Sequence, residues 1–158
     1  MPLWQIYHPT GTFPDTPSKD SFSADITKLY VDIGLPAFYV IVNFIETDPQ
    51  NLYIGGKTRS LPTDKPFVRI IITHIARHVP DIEAAYLRTT SRLDKAMNPH
   101  ILDKGYDVEY HVDETDRRLW KINGLIPPPS NSEEERVWGR ENRAVVYEGG
   151  YPSVEAAL

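Results

Sequence analysis

A strand–helix–strand pattern occurs twice in this chain at a nearly constant offset, and a duplication of that kind leaves few folds open. Pro2-Leu3-Trp4-Gln5-Ile6 returns 64 residues later as Pro66-Phe67-Val68-Arg69-Ile70. The helix opening at Thr16-Pro17 has its counterpart in one opening at Asp81. The strands that follow, starting at Ala37 and Tyr106, lie 69 residues apart. A crossover through a helix returns the chain parallel to its first strand, so each unit is expected to hold a parallel pair. The expected fold is α/β: two tandem βαβ units form a four-stranded mixed sheet with two helices on one face, followed by a C-terminal helical extension. The units span about 2–46 and 66–112, within a domain of residues 1–129. Residues 130–158 form a helix and tail.

Local signals fill in this frame. Phe22, Ile26, Leu29 and Ile33 make one apolar stripe, and Gly34 and Pro36 stop that helix. Ala37–Ile45 is almost continuously apolar and reads as a buried central strand, as does Phe67–His74. Leu52–Ile54 reads as a short arm ending at Gly55-Gly56, with a polar loop from Lys57 to Lys65. The second helix runs from an Asp81 cap to about Met97. Tyr106–Val112 alternates, the mark of a half-exposed strand. Thr115 caps a short helix to Ile122, Ser132–Val146 reads as a polar helix, and a loose tail starts at Tyr147.

The 158 residues suffice for one domain with its own core. A net charge of −5 disfavours nucleic acid or an anionic membrane as partner. With no cysteine, disulfides and thiolate chemistry are excluded. No signal peptide and no bilayer-spanning apolar run is found, so the expected location is the cytoplasm. The histidines and carboxylates lack metal-ligand spacing, and neither metal nor cofactor is expected.

The second residue is a candidate for the chemistry, although proline also stands second in many chains by chance. Removal of Met1 leaves Pro2 a free secondary amine, which is a base and a nucleophile. An α-amino group titrates near ~7.7–8 in water, and burial or nearby cations lower that value. Such an amine can move a proton between carbon and solvent beside a carbonyl, which is keto–enol tautomerisation.

The proline start, Val42-Asn43-Phe44, Gly55-Gly56, Phe67-Val68 and Gly124-Leu125-Ile126-Pro127 appear in the order found in the tautomerase superfamily. Over Pro2 to Pro129 the chain resembles that superfamily, and most of all its cis-3-chloroacrylic acid dehalogenase branch and the fungal proteins similar to it. The resemblance implies a homotrimer whose amino-terminal proline is the catalytic base or acid. It implies Pro2 and Tyr110 as catalytic residues. The family's helix histidine falls at Tyr30, its Arg-x-x-Arg pair at His74 and Arg77, and its water-activating glutamate at Lys121. Pro2, Arg77 and Tyr110 match the pattern, and Tyr30, His74 and Lys121 depart from it.

The residues suggest roles of their own. Arg77 offers a planar fork to a carboxylate, His74 can bind or transfer a proton, and Tyr110 can hold an enolate oxygen. Lys121 and Arg77 beside the amine would lower its pKa. The expected ligand is a small anionic 2-oxo acid or enol, bound by Arg77, His74, Tyr30 and Lys121. A lysine at the water-activating position predicts weak or absent hydrolytic dehalogenation. The alternative is a non-catalytic trimeric scaffold or small-acid binding protein on the same fold.

Overall fold

The computed structural model describes residues 1–75 and 77–151. Strand β1 (Pro2–Pro9) leads to helix α1 (Thr16–Val31) and strand β2 (Ile41–Thr47). A hairpin of β3 (Tyr53–Ile54) and β4 (Lys57–Thr58) follows. The second unit is β5 (Phe67–Ile75), α2 (Glu83–Met97) and β6 (Asp107–Thr115), and α3 (Glu133–Glu141) comes last. The sheet order is β2-β1-β5-β6. β1–β2 and β5–β6 are parallel, and β1 and β5 meet antiparallel. This is the expected four-stranded mixed sheet.

The strand register shows how the two units relate. Ile6 pairs with Ile70, its own counterpart 64 residues on. The local twofold between the units therefore passes through that pair, and both side chains are fully buried. Burial alternates along β1 and β5: Trp4, Ile6, Val68, Ile70 and Ile72 point into the core. There they meet Phe22, Ile26 and Tyr30 of α1 and Leu93 and Met97 of α2. One face of the sheet is thus covered, and the strands alternate as half-buried strands do.

Several elements differ from the sequence-based expectation. The Ala37–Ile45 run is not a central strand. Pro36 leads into a 3₁₀ turn at Ala37–Tyr39, and the strand that follows lies at the sheet edge, with Ile41 39% exposed. Tyr39 leaves the sheet to pack edge-on against Trp120 and Trp138. The polar loop begins with β4, because Gly55 (φ +60°) and Gly56 (φ +77°) form the left-handed pair that a tight hairpin needs. Asp15, not Thr16, caps α1 by accepting the Ser18 N–H at 2.9 Å. Asp81 does not cap α2, since its carboxylate takes the Tyr86 hydroxyl instead.

After β6 the expected short helix is a single 3₁₀ turn, Arg117–Leu119, whose cap Asp116 accepts the Arg118 N–H. α3 stops at Glu141, where Asn142 adopts φ +50°. Its Trp138 is fully buried in the main core and donates to the Val145 carbonyl at 2.7 Å. The chain beyond is not loose at its start: the Tyr147 hydroxyl donates to the Ile126 carbonyl, and the Ile126 N–H donates to the Gly150 carbonyl. The remainder of the expected tail, 152–158, lies outside the described residues.

Candidate functional site

A cavity of about 250 Å³ opens where the N-terminus meets the end of β5. Register places it there. Pro2 pairs with His74, so the start of β1 and the end of β5 share one edge of the sheet. The Ile75 N–H donates to the Met1 carbonyl at 2.8 Å, and the Met1 amine donates to the Ile75 carbonyl at 2.5 Å. The first peptide is therefore held by the sheet ladder. The end of α1, the loop after β5 and one face of α2 close the walls.

The amine is electrostatically tuned. Burial lowers the Met1 amine from 8.0 to about 5; the charge of Arg117 adds to this, Glu135 opposes it, and Arg77 lowers it further. Pro2 itself is buried and lines the cavity.

Beside the amine runs a hydrogen-bonded chain. The Trp4 indole N–H, a donor only, gives its hydrogen to the Tyr30 hydroxyl at 3.0 Å. The Tyr30 oxygen lies 2.9 Å from His74 Nε2. Burial holds His74 below its ordinary pKa, with Glu114 opposing and the amine's charge adding to the effect. A neutral His74 that accepts from Tyr30 at Nε2 carries its proton on Nδ1. Burial likewise holds the Tyr30 hydroxyl protonated, well above the usual phenol range. Glu114 ties the loop down, taking His78 Nδ1 at 2.9 Å and the Val79 N–H at 2.6 Å.

Of the residues singled out from sequence, Pro2, Tyr30, His74 and Arg77 come together around this cavity. Tyr110 and Lys121 do not join them within one subunit. Tyr110 pairs with Ile70, whereas His74, opposite Pro2, pairs with Glu114. Tyr110 thus sits four residues down β6, roughly 13 Å along the strand. Its hydroxyl points under α2 and donates to Asp94 Oδ1 at 2.8 Å, and it lines a separate groove. Lys121 is exposed and is not among the described residues lining the cavity. Without the expected helix at 115–122, the cation that this segment brings to the amine is Arg117, held by the Pro127 and Pro128 carbonyls. Sequence reading missed Arg117, as well as Arg88 and Arg92, which line the mouth from α2. The four-residue spacing of Arg88 and Arg92, beside the inward Ala85 and Leu93, was the available signal.

The family model Tautomerase_3, described as "Putative oxalocrotonate tautomerase enzyme", matches residues 1–143. The chain belongs to this family. Native RhCC from Rhodococcus jostii is similar at 37% identity and a TM-score of 0.82, covering 92% of this chain and 99% of its own. A probable enzyme from the thermophilic fungus Aspergillus fumigatus is 42% identical with the same TM-score, covering 93% and 98%. The fused 4-OT wild-type asymmetric trimer shares the fold at 23% identity and a TM-score of 0.58, over 77% of this chain and 93% of its own. No curated protein matches the chain.

Membership of the tautomerase superfamily fits the cavity's position at the amino terminus. Among the described residues, no helix is long and apolar enough to cross a membrane.

Proposed function

We propose that the chain is a tautomerase-like enzyme in which Pro2, freed of Met1, is the acid/base acting on a small anionic 2-oxo acid or enol. The observation that carries this reading is the half-buried amino terminus, which lines the cavity with Arg77 and His74 and whose Met1 amine is held below its ordinary pKa by burial and by the charges of Arg117 and Arg77. Arg77 takes the substrate carboxylate, and the Nδ1–H of His74 donates to the adjacent carbonyl or enol oxygen. The Pro2 nitrogen takes the proton from the enol hydroxyl or the neighbouring carbon and returns it across the three-atom unit. Tyr30 acts through His74. Lys121 stands at the position where the dehalogenases that the chain resembles carry a water-activating glutamate, and on that ground hydrolytic dehalogenation is weak or absent.

The working form is a homotrimer. Supporting this, the edge strand β2 leaves Ile41 exposed and the β3–β4 hairpin leaves Tyr53 65% exposed, apolar surface suited to a neighbouring subunit. Tyr110 and Lys121, placed outside one subunit's cavity, belong to the substrate region only if assembly brings it to them.

Ketonisation of phenylenolpyruvate tests the reading. Mature protein beginning at Pro2 should accelerate it, Pro2→Ala should weaken it, and acylation of the amine should abolish it. Equal activity after acylation would sink the proposal, and no activity in the mature protein would favour a small-acid binding protein on the same fold.

A further inference from the structure

A histidine with no part in the proposed chemistry lies at the far end of β1. His8 is six residues from Pro2, roughly 20 Å along the strand, and is only 1% exposed. Aromatic rings enclose it. Phe13, in the loop between β1 and α1, lies edge-on with 5.3 Å between ring centroids, and Phe44 of β2 at 6.1 Å. Phe22 of α1 stacks on Phe13 at 5.7 Å. The charges that reach the imidazole are Lys19 on α1 and Glu46 on β2. His100, bonded to Asp25, stacks on Phe22 and is the other titratable group of this aromatic cluster.

The hydrogen bonds fix the His8 tautomer. Thr12 gives its one hydroxyl hydrogen to the Pro9 carbonyl at 2.6 Å. Toward His8 Nδ1, 2.9 Å away, the Thr12 oxygen can then only accept. The Pro9 carbonyl, 3.3 Å from the same nitrogen, is also an acceptor. Nδ1 therefore carries the hydrogen, and Nε2 presents a bare lone pair. That nitrogen is buried and has no hydrogen-bond partner among the described residues. A proton there would make a charged N–H with no acceptor and no solvent, a cost greater than neighbouring phenyl rings offset. Accordingly, burial holds His8 below its ordinary 6.5, with the Pro9 carbonyl and Glu46 opposing and Lys19 adding to the effect.

The neutral ring also holds the loop. Through Thr12 it braces the turn in which the Thr12 N–H bonds the Pro9 carbonyl at 3.1 Å. Phe13 follows at φ +48°, a left-handed value that a bulky residue keeps only while packing enforces it. Asp15 comes next, the cap of α1, which is the helix that carries Tyr30 to the cavity.

We propose that His8 is an acid-operated latch: a proton on Nε2 drives the ring out from between Phe13 and Phe44 and opens the loop from Pro9 to Asp15 while the sheet stays folded. The closed loop prefers the neutral ring, so the latch is shut above the ordinary histidine range. As pH falls below it, the start of α1 loosens.

Hydrogen exchange followed by NMR on the full-length protein tests this. Protection factors of the Thr10, Thr12 and Ser18 amides should fall by up to about tenfold per pH unit below about pH 6.5, the slope of one proton taken up on opening. Amides of the β1–β5 ladder should remain the better protected over that range. Imidazole nitrogen spectra at pH 7 should show His8 protonated at Nδ1 alone. His8→Asn keeps a side-chain N–H for Thr12 and cannot titrate, so the loop's dependence on pH between about 5 and 7 should vanish. A loop slope that persists in His8→Asn overturns the latch. So does a wild-type His8 that carries its hydrogen on Nε2 at pH 7, or a loop that exchanges only together with the sheet. These last two readings use the wild-type protein and decide the matter even if the variant does not fold.

Discussion

Tyr30→Phe should be costly for stability even though it removes a single oxygen. Tyr30 is only 4% exposed, and its hydroxyl accepts the indole N–H of the fully buried Trp4. The same oxygen is the partner of His74 Nε2. Phenylalanine fills the same space, so the change comes from polar groups alone. The Trp4 N–H is left buried without an acceptor, at about 1–3 kcal/mol, and the partly buried His74 contact adds about 1 kcal/mol. A total of about 2–4 kcal/mol corresponds to a fall in Tm of roughly 5–15 °C for a chain of this length. Urea unfolding and thermal melts at fixed protein concentration measure it. Nitrogen NMR of His74 gives an independent reading: one tautomer protonated at Nδ1 in the wild type, a mixture in the variant. A loss below about 0.5 kcal/mol with an unchanged imidazole spectrum would refute the relay and its control of His74.

Other outcomes follow from the same geometry. Arg117→Gln removes a cation that depresses the amine, so the rising limb of rate against pH should move to higher pH, while Arg117→Lys should leave it in place. Burial holds His74 below its ordinary 6.5, so the unfolded chain takes that proton first. Stability measured by urea titration should accordingly be full above pH 6.5 and decline as pH falls through that value. 3-Chloroacrylate should release little chloride, since Lys121 occupies the position of the water-activating glutamate; efficient release would show that the site has been misplaced. Light scattering should give three times the 18.0 kDa of one chain, and a monomer at micromolar concentration would count against the trimer.

The duplicated strand–helix–strand order was legible because the apolar periodicities of β1, α1, β5 and α2 are local properties. The position of β2 was not. An apolar run such as Ile41–Ile45 reads the same in a sheet centre as at an edge, and strand order depends on which units meet. Tyr30, His74 and Arg77 line one cavity with Pro2 because each lies at or just past the end of an element next to the sheet edge that β1 opens. The helix expected to carry Lys121 is not formed. Asp116 caps a single 3₁₀ turn, and Asn123 and Gly124, both at positive φ, turn the chain straight back, so Arg117 faces the amine instead. The bond between Tyr110 and Asp94 joins β6 to α2 across 16 residues, a pairing that no spacing rule announces.

The central claim is that the cavity's amine belongs to Pro2 and does the chemistry. The most direct test is the intact mass of the protein before and after treatment with 2-oxo-3-pentynoate, an electrophile that a nucleophilic amine can capture. Peptide mapping follows, with activity measured in parallel. Loss of Met1, one adduct per chain on the Pro2 nitrogen, and inactivation in step with labelling are the predicted result. A protein that retains Met1, takes no label at its terminus and still turns over phenylenolpyruvate at full rate would contradict it.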